Sequence, residues 1–302
     1  MSKADKIFID MCTDVINHGT STVGQEVRPI WTDTGEKAYT IKQFGVCNRY
    51  DLREEFPALT LRKTAIKSAM DEILWIYQKK SNNVNDLNSH IWDEWANKDG
   101  SIGKAYGYQV GKKYIHHKEP ISPATVEEAH IFGGLKKSVE LDQIDGVIYD
   151  LKHTPFSRRI MTNLYNFEDL HEMNLYPCAY SCTFNVTDEG ADKLVLNMVL
   201  NQRSQDILAA NNWNVVQYSL LLMMIAQVCN MIPGQLVHMI VDAHIYDRHI
   251  PLVKELISRE TYDAPIVTLD PDIKDFYKFT TNSITVKDYK FGEQIKNIPI
   301  AV

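Results

Sequence analysis

Apolar residues along the first 20 positions recur at helical spacing, and Asn17-His18-Gly19 supplies a stop, so the chain is expected to open with a helix. A polar loop follows, then strand-like alternation from Tyr39 to Val46. Between Thr64 and Gln78 the apolar positions Ala65, Ala69, Ile73, Leu74, Ile76 and Tyr77 return to a helical period, with Glu72 and Trp75 among them. Residues 111–137 lose regularity and read as a surface excursion, and Asp142 to Lys152 reads as a helix that stops before Pro155. From Ile207 to Val241 there is no Asp, Glu, Lys or Arg. Asn211, Asn212, Asn214, Gln217, Gln227 and Asn230 interrupt that run, and its apolar part, Val215 to Met231, is at the short limit for a bilayer core about 30 Å thick. It is expected to be a helix buried on all sides.

The most informative pattern is a hairpin. Cys178, Tyr180, Cys182, Phe184 and Val186 alternate with Ala179, Ser181, Thr183 and Asn185. Lys193 to Ser204 alternates as well, and the TDEGAD turn lies between them. Antiparallel pairing about that turn sets Cys178 opposite Asn201 to Arg203, which gathers a thiol, a guanidinium and the Ser204 hydroxyl at one sheet end.

Composition narrows the possibilities. The 302 residues are 44% hydrophobic and 24% charged, which excludes a disordered chain and leaves ample material for a core. No repeat or linker divides them, so a single domain over 1–302 is expected. Thirty-two basic against 39 acidic residues give −7, which argues against a dedicated nucleic-acid binder and requires any anionic ligand to be met by a local arginine cluster. Five cysteines at no framework spacing, with no signal peptide, suggest reduced thiols in the cytoplasm. Cys178-x3-Cys182 lacks a second ligand pair at zinc spacing, so no metal is expected.

Three groups could carry chemistry. Cys178 beside Arg203 is either a nucleophile whose thiolate the positive charge favours or a core thiol. Arg158-Arg159 is either a phosphate fork or a solvated helix-end pair. Asp242, His244 and Tyr246 share one strand face and either meet a polar ligand or satisfy one another.

PFSRRI (155–160), Pro177-Cys178, QRSQD (202–206), Asn214 and DAHIY (242–246), with LWIYQ (74–78), IWDEW (91–95), AYG (105–107) and the ending IPIAV, resemble thymidylate synthase in order and spacing. The resemblance implies an α/β (α+β) single domain with a large mixed sheet flanked by helices, dimerising through the sheet. It implies conversion of dUMP to dTMP with 5,10-methylenetetrahydrofolate as co-substrate. Cys178 then adds to uracil C6, and Glu72 and Tyr106 organise proton transfers. Arg28, Arg203 and Ser204 bind phosphate together with Arg158 and Arg159 of the other subunit. Asn214 reads the base, and His244 and Tyr246 hold the 3′ hydroxyl. Asp206 lies at the nucleotide–folate junction, Trp92 contacts folate, and the tail, including Ala301, closes over it. The chain departs from the common pattern at Ala179, Ile240-Val241, Ala210-Asn211-Asn212 and Arg62.

Two other functions compete. A folate-dependent dUMP or dCMP hydroxymethylase would share the fold and the cysteine, but Asn214 can accept from uracil N3–H and donate to O4, which favours uracil over cytosine. A catalytically silent binding protein, such as an RNA-binding regulator, would not need the intact set of Cys178, Arg203, Ser204, Asn214, His244 and Tyr246.

Overall fold

The computed structural model describes residues 1–117, 138–190 and 192–302. Helix α1 (Lys3–His18) is capped by the Ser2 hydroxyl, which accepts from the Asp5 N–H. It stops at Gly19, where a side chain would overlap the Val15 carbonyl oxygen. Strands β1 (Thr20–Ser21) and β2 (Thr40–Asp51) follow, then α2 (Ile66–Leu74) and the short α3 (Gly107–Gly111). Strands β3 (Tyr114–His117) and β4 (Ser138–Leu141) pair with each other at the flanks of the expected excursion, most of which lies outside the described residues. Helix α4 (Gln143–His153) is capped by Asp142. Beyond it come β5 (Met161–Asn163), β6 (Ala179–Thr187), β7 (Val195–Gln202), β8 (Gln205–Asp206), α5 (Asn211–Val228), β9 (Ile232–Tyr246), α6 (Ile250–Leu256) and the hairpin β10 (Ile266–Leu269) with β11 (Ile284–Lys287).

Among the described residues, seven strands form one mixed sheet in the order β1-β2-β9-β7-β6-β5, with β8 joined to β9. β9 runs antiparallel to β2 and parallel to β7 and β8. One sheet face, including Phe184, Cys182, Met198, Leu200, Leu236 and Ile240, is buried in the core. Helix α5 is part of that core and is buried on nearly every side, as its uncharged sequence requires. No helix among the described residues is long and apolar enough to cross a membrane.

The expected hairpin forms, with one modification. A bulge between Ala179 and Ser181 shifts the β6–β7 register, so that Tyr180 drops out of the alternation and Cys182, Phe184 and Val186 carry the buried face. Cys178 sits just before β6, its carbonyl accepting from the Arg203 N–H at 2.9 Å, within the span that the turn fixed. The expected 64–78 helix also divides. Its α-helical part ends at Leu74, and Trp75–Lys79 continue as a π-helical turn closed by Lys80 in a left-handed conformation.

Tyr106, just ahead of α3, has φ 45° and ψ −102°, a strained backbone for a residue with a side chain. The neighbouring chain fixes it: a Cβ on Gly107 would overlap the Ser81 carbonyl oxygen and approach the Ser81 nitrogen to 2.7 Å. Gly107→Ala is therefore expected to destabilise the protein by about 1–3 kcal/mol, read from the denaturant midpoint, because backbone rather than a flexible side chain must yield. An unchanged midpoint would mean that this approach does not hold the Tyr106 turn.

Candidate active site

Two clusters meet at the sheet end where β7 stops. The first is a cavity of about 380 Å³ lined by Arg28, Thr40, Lys42, Arg203, Ser204, Asp242, His244 and Tyr246, among others. The alternation of β9 puts Asp242, His244 and Tyr246 on this side, and β2 brings Thr40 and Lys42 opposite Tyr246 and His244. Asp242 accepts from His244 Nδ1 at 2.8 Å and from Lys42 Nζ at 2.7 Å. Burial opposes its ionisation, yet these two bonds outweigh burial and hold its pKa below the ordinary carboxylate range. An ionised Asp242 accepts only, so His244 carries its hydrogen on Nδ1 and leaves Nε2 for a ligand.

The second cluster surrounds Glu72. Its carboxylate accepts from Trp92 Nε1 at 2.9 Å and from Trp213 Nε1. The Trp92 ring packs edge-on against Tyr106, 4.9 Å between centroids. The Tyr106 hydroxyl oxygen in turn accepts the backbone N–H of Cys178 at 3.2 Å. Glu72 and Cys178, 106 positions apart in the chain, are thus linked through two aromatic side chains.

Arg203 joins the clusters. Its Nε donates to the Pro177 carbonyl at 3.1 Å and its Nη2 to the Tyr176 carbonyl at 2.7 Å, which clamps the segment leading into Cys178 while the residue lines the cavity. The hairpin pairing expected from the sequence sets Arg203 to favour the Cys178 thiolate, and the structure corrects the balance. Burial is the larger influence and pushes the thiol up; Arg203 and Arg28 pull it down without cancelling that rise.

Asn214 lies one turn into α5, its carbonyl accepting from Gln202 Nε2 at 3.2 Å and its amide donating to Gln217 Oε1 at 3.2 Å. Asp206 accepts the Ala209 N–H at 3.0 Å and stands 3.7 Å from His249 Nδ1. Burial works against the Asp206 charge, but His249, together with His244 and the Ala209 N–H, more than compensates and keeps the carboxyl below its usual range. The tail docks by strand-like pairing of Ile30 with Val302 and of Trp31 with Ala301, and His249 Nε2 donates to the Pro299 carbonyl at 2.8 Å. Arg158 and Arg159 are exposed and do not line the cavity of the single chain. Among the described residues no cluster of three His, Cys, Asp or Glu side chains is arranged to hold a metal ion.

The sequence reading missed Trp213, Gln217, Lys42 and His238. Gln217 was legible in principle, because a glutamine inside an otherwise apolar buried helix must find a partner. His238 likewise interrupts the buried positions Leu236 and Ile240 of β9.

Comparison with known proteins decides the family. The thymidylate synthase family profile matches residues 6–302. The chain belongs to the thymidylate synthase family. It is 38% identical over 298 residues to the thymidylate synthase of Bacillus subtilis subsp. natto and 39% identical over 298 residues to that of Bacillus licheniformis, covering 98% of each chain in both cases. Its fold matches the solved thermostable thymidylate synthase A from Bacillus subtilis with a TM-score of 0.84, 38% identity and 99% coverage of both chains. Thymidylate synthases are dimeric methyltransferases that convert dUMP to dTMP with 5,10-methylenetetrahydrofolate, and that is the activity of this chain. The hydroxymethylase alternative is not favoured.

Glu72 provides a test of the second cluster. Burial is the main cause that raises its pKa from 4.5 to about 7, and the bonds from Trp92 and Trp213, with the nearby Gln217 amide, only partly offset it. The native protein thus keeps a proton that the unfolded chain releases. The associated stability is complete below pH 4.5 and is lost as pH rises through about 7. Glu72→Gln has no such titration, so the stability of the parent relative to the variant is expected to fall by roughly 3 kcal/mol across that window. Parallel stability–pH curves for the two proteins would show that Glu72 titrates normally.

Proposed function

We propose that Cys178 is the nucleophile of the methylation and adds to C6 of uracil, which leaves C5 to bond to carbon. What supports this reading is the convergence of Cys178, Tyr106, Trp92 and Glu72 on one side of Arg203 and of a cationic cavity on the other. Attack requires the thiolate, and the arginines lower its cost while the Tyr106 hydroxyl oxygen holds the Cys178 backbone. With its N–H bond fixed, Tyr106 keeps its own hydroxyl hydrogen to donate. Glu72, poised near neutrality, can take up or release a proton toward O4 and C5 through water.

Arg28, Arg203 and Ser204 bind the phosphate, where guanidinium forks match its oxygens. His244 Nε2 and the Tyr246 hydroxyl hold the 3′ hydroxyl, and Asn214 pairs with uracil N3–H and O4. The folate, when bound, supplies the one-carbon unit and the hydride. The residues fit such a group: ionised Asp206 is the acceptor that the N–H donors of a pterin need, Trp92 offers an apolar ring, and the docked tail around Ala301 excludes water. Five free thiols support a cytoplasmic setting.

The sheet supports dimerisation through its second face. Cys47, Met161, Met239 and Val241 are exposed there, and Phe44 on β2 is 85% exposed. Covering this face with a second copy would bring Arg158 and Arg159 of one subunit to the phosphate of the other.

Cys178→Ser is expected to retain dUMP binding and lose roughly three or more powers of ten in dihydrofolate formation, followed spectrophotometrically with identification of dTMP. Turnover near the parent's would remove Cys178 from the reaction. Mixing inactive Cys178→Ser chains with inactive Arg158→Ala/Arg159→Ala chains tests the shared site, since each heterodimer then contains one site free of both changes. Activity is expected to return. Confirmed subunit exchange without recovery would mean that each site is built from a single chain.

A further inference from the structure

Uracil offers a donor at N3 and an acceptor at O4, and cytosine offers the reverse. An asparagine amide can meet either base by a half-turn of its terminal torsion, which is soft. Selection therefore depends on what prevents that half-turn.

In this chain the Asn214 amide lies within a run of hydrogen bonds that all point one way. His238 Nε2 meets Gln202 Oε1 at 2.7 Å. Gln202 is held in one orientation from both ends, its Oε1 by His238 and its Nε2 by donation to the Ser204 carbonyl at 3.1 Å and to Asn214 Oδ1. Facing an accepting oxygen, His238 must carry its hydrogen on Nε2, and its Nδ1 is left buried without a partner. On the other side Asn214 donates to Gln217 Oε1. The Gln217 nitrogen has no partner at hydrogen-bond distance, but it exerts a polar pull on Glu72 that favours the carboxylate. Glu72 is held as an acceptor by two indole N–H groups, which can only donate.

His238 is 0% exposed, and burial holds it neutral, its pKa lowered to about 3. A neutral imidazole with an orphaned nitrogen on the core face of a sheet costs stability that an apolar residue would not. Its place in the run is the compensating feature.

We propose that His238 and Gln217 are positioning residues that lock the Asn214 amide in the orientation that accepts a 4-oxo pyrimidine and rejects a 4-amino one. The proposal rests on the reading of Asn214 as the group that meets the base. With the lock intact, the second lone pair of Asn214 Oδ1 faces N3–H and its second amide hydrogen faces O4. Without it, the amide samples the reversed orientation, which suits cytosine.

The test measures dissociation constants of dUMP and dCMP by calorimetry on the intact chain, alongside thermal midpoints. His238→Phe and Gln217→Met should each narrow the dUMP-to-dCMP preference about tenfold. His238→Phe strands Gln202 Oε1 and is expected to lower the thermal midpoint as well, but a general loss of stability weakens both ligands alike and leaves their ratio unchanged, so the narrowed ratio is what a merely structural role would not give. His238→Gln, which can donate from the place of Nε2, should stay within about twofold of the parent ratio. If Asn214→Asp shifts the ratio while folded His238→Phe and Gln217→Met do not, the lock is overturned and the reading of Asn214 stands. An unchanged ratio in Asn214→Asp overturns both. Should His238→Phe fail to fold, Gln217→Met decides alone.

Discussion

The clamp that Arg203 places on the chain before Cys178 is the interaction on which the rest of the site depends. Its guanidinium holds the Tyr176 and Pro177 carbonyls and its own N–H holds the Cys178 carbonyl, so the thiol is fixed to the end of β7. The same charge lines the cavity and lowers the cost of forming the thiolate. Position and electrostatics come from one side chain, and a lysine could not reproduce the paired carbonyl contacts with a single ammonium.

Burial opposes ionisation throughout the site, and each group resolves that conflict differently. Asp242 and Asp206 have enough donors or cationic neighbours to remain charged. Glu72, with indole donors but no cation among its bonded partners, rises to about 7 and can exchange a proton. His238 yields completely and stays neutral. The carboxylates that stay charged thus differ in character from the one that rises toward neutrality, and the difference lies in which side chains reach them.

Much of the fold was legible because its signals are local. The helix at Lys3–His18, the hairpin that brings Cys178 to Arg203 and the buried helix at Asn211–Val228 each follow from spacing and a stop or turn signal. The bulge at Tyr180 and the π-helical turn after Leu74 were not legible, since both answer to packing against neighbours distant in sequence. In the site, the motif residues are legible in the sequence, but their supports are not. Trp213 is unremarkable until α5 packs beside α2 and its indole meets Glu72.

By itself the sequence determined which residue types are present and which lie close along the chain: the cysteine opposite the arginine, the polar face of β9 and the uncharged core helix. Tertiary structure alone decided the electrostatic outcome. Whether Cys178 is pulled toward thiolate or pushed toward thiol, whether Glu72 titrates near neutrality and which way the Asn214 amide faces all depend on burial and on partners contributed by other elements. A pKa or an amide orientation is a difference between environments, and an environment exists only once strands and helices remote in sequence have closed around the group.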